Sequence, residues 1–267
     1  MKPFYFGSAQ QPLFGAHHPP RGAPRDSAVL LCYPLPQEYG SVHWAFRRLA
    51  MTLALRGFHV LRFDYRGTGD SSGDAGDATF ESMVESTKSA VEELRDVSGA
   101  RRVSVVGMRF GAAVAARLPS THLREVVLWE PILSGREHLE ELRRVHRARE
   151  LGWLLPAVKQ TPGEPEDLLG YSLHDGVRRS VDAVDLRTGP YAACAGFSLV
   201  VSADGPEARA LEAALAKTGA RVQLRIVADG GAEDASKAGA ALLSNAVLGA
   251  VADAVAGPSA KPAGTYP

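Results

Sequence analysis

The sequence carries almost no net charge, because 30 basic residues stand against 30 acidic ones. No global field would draw it to nucleic acid or anionic lipid. Cysteine is nearly absent as well: Cys32 and Cys194 each sit in apolar surroundings, which excludes a disulfide framework and predicts free thiols. No apolar run approaches the roughly 20 residues that a membrane span requires. Residues 1–11 also lack the apolar core of a signal peptide. These absences predict a cytoplasmic chain with neither a nucleic-acid partner nor a membrane span. Repeats, low-complexity blocks and cofactor motifs are missing too. The pair His138 and Glu141, with His146 further on, has no third ligand, so no metal is expected.

What is present suits a sizeable core, with 267 residues of which 45% are hydrophobic. Strand-like and helix-like runs alternate, predicting a mostly parallel sheet with helices on both faces. Residues 5–6 and 13–16 read as an opening antiparallel hairpin, ended by His17-His18-Pro19-Pro20. Strands are predicted at 28–32, 59–63, 103–106, 125–129, 197–202 and 222–227, and helices at 44–55, 80–97, 112–118, 207–217 and 232–256. Between 131 and 190 the alternation stops. A charged helical segment at 136–151 and a Pro/Gly-rich stretch at 161–170 take its place. The expected organisation is one domain over 1–256, with an insertion at about 133–190 and a disordered tail at 257–267.

The chemistry concentrates in one turn, Gly107-Met108-Arg109-Phe110-Gly111, between a strand and a helix. That context frames Gly-x-Ser-x-Gly, the nucleophile elbow of α/β-hydrolases. Here the central residue is an arginine, whose guanidinium stays protonated and cannot accept an acyl group. A serine triad also needs an imidazole base beyond the last strand. The last histidine in the chain is His174, and Val227-Ala228-Asp229-Gly230-Gly231 occupies the place of the base. Two of three triad roles are vacant. The acid role has two candidates, Glu130 after one strand and Asp204 after a later one.

An oxyanion hole would draw on the amide of Phe110 and one from the loop after Cys32, where Leu35 or Gln37 can donate and Pro34 and Pro36 cannot. Amides at an elbow, with the following helix N-terminus, favour an anion, and Arg109 adds to that preference. The alternative is internal neutralisation of Arg109 by Glu130 or by Asp64. The charged helix, with Arg143, Arg144, Arg147 and Arg149 among Glu137, Glu140, Glu141 and Glu150, reads as a solvated lid face.

The loop Asp64-Tyr65-Arg66-Gly67-Thr68-Gly69-Asp70-Ser71-Ser72-Gly73 matches an Asp-x-Arg-Gly-x-Gly-x-Ser loop of many α/β-hydrolases. Together with His17 to Pro20, Leu30-Leu31-Cys32-Tyr33-Pro34, the elbow and the run Val127 to Gly135, it resembles the exosortase A system-associated hydrolase-like proteins of bacteria. More broadly the chain resembles the serine aminopeptidase and α/β-hydrolase superfamily over residues 4–150. The resemblance implies an α/β-hydrolase fold with a small helical lid, and an arginine shared at the elbow rather than lost at random. It supplies no reaction.

Three functional readings follow. One is a non-catalytic binder of a small anionic ligand or a protein partner, with Arg109, Phe110, Leu35, Gln37, Glu130 and Asp64 at the site. Another is a divergent hydrolase of esters, thioesters or amides, with water activated by Glu130 or Asp204. The third is a structural partner protein that docks through Leu151 to Pro156.

Overall fold

A computed structural model describes residues 1–152, 164–228 and 244–257. Ten strands are found among them: β1 Lys2–Ser8, β2 Gln11–His18, β3 Ser27–Cys32, β4 His59–Phe63, β5 Arg102–Met108, β6 Leu123–Trp129, β7 Glu166–Leu168, β8 Tyr171–Leu173, β9 Gly196–Val201 and β10 Arg221–Ile226. Seven helices accompany them: α1 Pro36–Leu55, α2 Phe80–Ser98, α3 Phe110–Ala116, α4 Gly135–Gly152, α5 Asp175–Asp182, α6 Pro206–Ala216 and α7 Asn245–Ala256.

Eight strands form one sheet in the order β1-β2-β4-β3-β5-β6-β9-β10. The β1–β2 and β2–β4 pairs are antiparallel and every other pair is parallel. β3, buried along its whole length, and β5, buried from Val103 to Met108, have neighbours on both sides and helices above and below. This explains their continuous apolar runs, since alternation is expected only where one face meets water. α1 packs with α7 and α2 with α3, so both faces are covered. α1 buries Val42, Phe46, Leu49 and Leu53 on one stripe. α2 is capped at its start by the Thr79 hydroxyl, which accepts from Ser82 N, and stopped by Gly99 at φ 69°.

Two boundaries differ from the sequence expectation. α1 begins eight residues before 44, because Pro36 occupies its first turn, where a missing N–H costs nothing. The insertion also contains an unforeseen hairpin, β7–β8, whose three-residue strands are too short to show a period. Its base is closed where Ser134 bridges Asp185 and Leu186 N donates to Leu133 O at 2.7 Å. The predicted helix over 232–256 is described only from Asn245 onward, and of the predicted tail at 257–267 all but Gly257 lies outside the described residues. Cys32 and Cys194 are free thiols; burial pushes the Cys32 thiol up to about 12.

Candidate functional site

Strand register brings three chain ends together. Cys32 pairs with Gly107 and Met108 with Trp129, so the loop after β3, the elbow and Glu130 meet at the carboxyl edge of the sheet. Arg109 occupies the elbow apex at φ 54° and ψ −118°, and its N–H donates to Trp129 O at 3.0 Å. A positive φ is uncommon for a residue with a Cβ and marks stored strain. The flanking glycines are obligatory for space. A Cβ on Gly107 would stand 2.1 Å from Gly111 O, and one on Gly111 2.3 Å from Tyr33 O. The frame of an elbow is therefore complete around a residue that cannot be acylated.

Neither expected partner neutralises Arg109. Its Nε donates to Glu38 Oε1 at 3.2 Å and its Nη2 to Glu141 Oε2 at 2.7 Å. Glu38 lies in the first turn of α1 and Glu141 on α4 of the lid. Between them sits His138, with Nε2 3.0 Å from Glu38 Oε2 and Nδ1 3.3 Å from Glu141 Oε2. The His138 side chain is 1% exposed, and that of Arg109 20%. The expectation of a solvated helix face fails at His138, which is buried, and holds for Glu141, whose side chain is half exposed while it reaches the elbow across the i, i+3 spacing.

Electrostatics make the four groups one unit. Burial pulls the His138 pKa down, but hydrogen bonds to Glu141 and Glu38 and the Glu38 charge outweigh it, and the net shift is upward. The Glu141 carboxyl is held down to about 2, chiefly by its hydrogen bond to His138 and, against partial burial, by the Arg109 charge. Glu38 resists burial through His138 and Arg109 and also titrates below its ordinary value. With His138 protonated, two cations face two carboxylates and the cluster is neutral. Nδ1–H and Arg109 Nη2, 3.4 Å apart, are then two donors sharing Glu141 Oε2.

The other expected site residues are dispersed. Glu130, at φ 44°, stands beside Arg109 along the strand ends, yet its carboxylate accepts from Ser202 N. Burial raises its pKa, partly offset by Ser202 and Arg109. Asp64 accepts from Asp70 N at 3.1 Å and from the Tyr39 hydroxyl at 3.4 Å, anchoring the glycine loop instead of the guanidinium. Asp204 pairs with Arg209 Nη2 at 2.7 Å at the exposed start of α6. Phe110 is buried against Phe80 with ring centroids 5.7 Å apart. Leu35 and Gln37 open α1 and line a cavity. Of the docking segment Leu151 to Pro156, Leu151 is exposed, and residues 153–156 lie outside the described residues.

That cavity, of about 310 Å³, lies between the loop after β3, the loop after β4 and the lid elements β8 and α5. Tyr33, Tyr39, Phe63, Tyr65 and Tyr171 are among its lining residues, with Asp64 and Gln37. No helix among the described residues is long and apolar enough to cross a membrane, and no group of three metal-ligating side chains occurs among them.

Residues 39–194 match the hydrolase family described as serine aminopeptidase, S33. No curated protein matches the chain. Among solved structures, the chain is similar to Est1E of Butyrivibrio proteoclasticus bound to ferulic acid, at 15% identity and TM-score 0.60 over 90% of this chain and 96% of that one. An esterase of Pyrococcus furiosus aligns at 14% identity and TM-score 0.56, over 85% and 82% of the two chains. The bottromycin epimerase BotH, solved with bottromycin A2, aligns at 17% identity and TM-score 0.57, over 94% and 100%. At such identities the likeness establishes the fold alone.

Proposed function

The chain belongs to the serine aminopeptidase S33 family of α/β-hydrolase-fold proteins, and on that premise we propose that it binds a small molecule without hydrolysing it. The observation that supports this reading is the closed cluster at the elbow. Where a serine would meet an imidazole base, a guanidinium is bonded to two carboxylates that a buried imidazole shares. An imidazolium bonded at both nitrogens has no lone pair to accept a proton, so His138 is a poor general base. The guanidinium is also a poor anion receptor, because Glu38 and Glu141 already occupy it. Binding then falls to the neighbouring cavity.

A protein titled an epimerase on a similar fold illustrates that this scaffold serves non-hydrolytic ends. The resemblance to the exosortase-associated group fits the same reading, with arginine as a shared replacement. A panel of short acyl esters, thioesters and aminoacyl anilides, offered to folded protein, is expected to give no turnover above buffer. Turnover lost on Arg109→Ala would overturn the reading.

A second reading, hydrolysis by unusual groups, is favoured by the family itself and by the esterase neighbours. Its remaining candidate is Glu130, whose raised carboxyl lies beside the elbow. Turnover abolished by Glu130→Gln would establish it.

A further inference from the structure

The cavity beside the elbow has an uneven chemistry. Among the described residues, Asp64 is the one charged residue in its lining, and it is 7% exposed. One of its oxygens accepts the Asp70 amide, and the other has only the Tyr39 hydroxyl at 3.4 Å, a long contact. No lysine, arginine or histidine among the described residues lines the space.

The nearby cations are turned away or uncharged. Arg62, 6% exposed, donates to the Tyr33 hydroxyl at 2.8 Å and to His18 Nε2 at 3.3 Å, outside the lining. His43 reaches the Tyr39 hydroxyl through Nδ1 at 3.3 Å, and burial holds its pKa below the ordinary value. The rest of the lining mixes aliphatic residues such as Leu35, Met83 and Val177 with five aromatic ones, and aromatic faces carry negative potential.

We infer that this cavity takes a small organic ammonium, a primary amine on an apolar body, with the nitrogen donating to Asp64 and the body against the aromatic and aliphatic residues of the lining. This rests on the reading of the protein as a binder and adds the ligand's charge to it, opposite in sign to the anion that the elbow arginine suggests. A carboxylate with an open acceptor position favours a cation over a neutral donor of equal shape, and aromatic faces add to the preference. At 310 Å³ the cavity lies at the small end of ligand sites, which span about 300–1,000 Å³. A single-ring amine is the appropriate probe.

Calorimetric titration of the full chain with benzylamine, benzyl alcohol and benzoate at neutral pH tests the assignment. Benzylamine is expected to bind about tenfold tighter than benzyl alcohol, and benzoate not at all. Asp64→Asn should abolish the preference for the amine. Because Asp64 also anchors its loop, a second variant, Ser172→Trp, places bulk in the lining from the exposed lid strand and should block the amine without touching that anchor. Equal affinity for amine and alcohol, preference for benzoate, absence of binding, or amine binding untouched by both variants would overturn the inference. None of these outcomes bears on ester turnover, which tests the non-hydrolytic reading by itself.

Discussion

Arg109 and Glu38, 71 positions apart in the chain, are joined by a 3.2 Å bond from Nε to Oε1. One sits at the apex of the elbow and the other in the first turn of the helix that follows the neighbouring strand. The pair ties the elbow to α1, and most consequences for stability follow from it.

Arg109→Ala leaves Glu38 and Glu141 facing only His138. Removing one partner of a largely buried ion pair strands the other charge. The expected cost is about 2–3 kcal/mol in urea unfolding, toward the low end for buried pairs because the Glu141 side chain is 48% exposed. A loss under about 0.5 kcal/mol, the size of an ordinary surface substitution, would show that the cluster contributes little.

The pH dependence has two opposed limbs. His138 titrates above its unfolded value, so its contribution is complete below about pH 6.5 and is lost as pH rises through the folded pKa. His17 and His18 titrate at about 4, lowered chiefly by burial, with His59 and Arg62 respectively adding like charge. Their contribution is complete above about 6.5 and declines toward pH 4. Stability is expected to peak near pH 6.5. His138→Gln should flatten the alkaline limb and leave the acid limb in place; thermal unfolding across pH 4 to 9 reads both.

Gly107→Ala and Gly111→Ala each drive a methyl group into backbone carbonyls, at 2.1 and 2.3 Å. Neither neighbour is a flexible side chain that can swing aside. Losses above about 3 kcal/mol, or failure to fold, are expected because overpacking in a close-packed core already costs 1–3 kcal/mol. Soluble expression with unchanged unfolding would mean that the elbow opens more easily than its contacts indicate.

Arg143 Nε and Nη2 bind Glu166 at 2.7 and 2.6 Å, tying α4 to the lid hairpin in a fork geometry. Glu166→Gln should raise amide exchange in α4 and in β7–β8 while leaving β3 and β5 protected. Uniform exchange across the sheet would show that the lid is not a separate unit.

Much of the architecture was readable from the chain because its signals are local. The parallel strands announce themselves as short apolar runs, and the elbow as two glycines around a bulky residue. The partners of Arg109 were not readable in this way. Glu38 looks like any loop glutamate after Pro34 and Pro36, since nothing local says that Pro36 opens a helix. His138 and Glu141 did carry a signal, the i, i+3 spacing, but in a helix so rich in charge one inward pair is indistinguishable from its solvated neighbours. The expected pairing of Arg109 with Glu130 had the backbone neighbourhood right. It missed that Ser202 N takes the Glu130 carboxylate.

The lid leaves the sheet and returns to it at a single hydrogen-bonded seam between residues 133 and 186. Such a joint makes the insertion look exchangeable, as a cassette among relatives. The cluster withdraws that freedom. A borrowed lid without an imidazole and a carboxylate at the positions of His138 and Glu141 would strand the arginine, and a serine restored at 109 would leave this lid's own charges unbalanced. Elbow and lid are therefore matched in charge, and grafts of this lid are expected to fold well only when the elbow arginine is transferred with it.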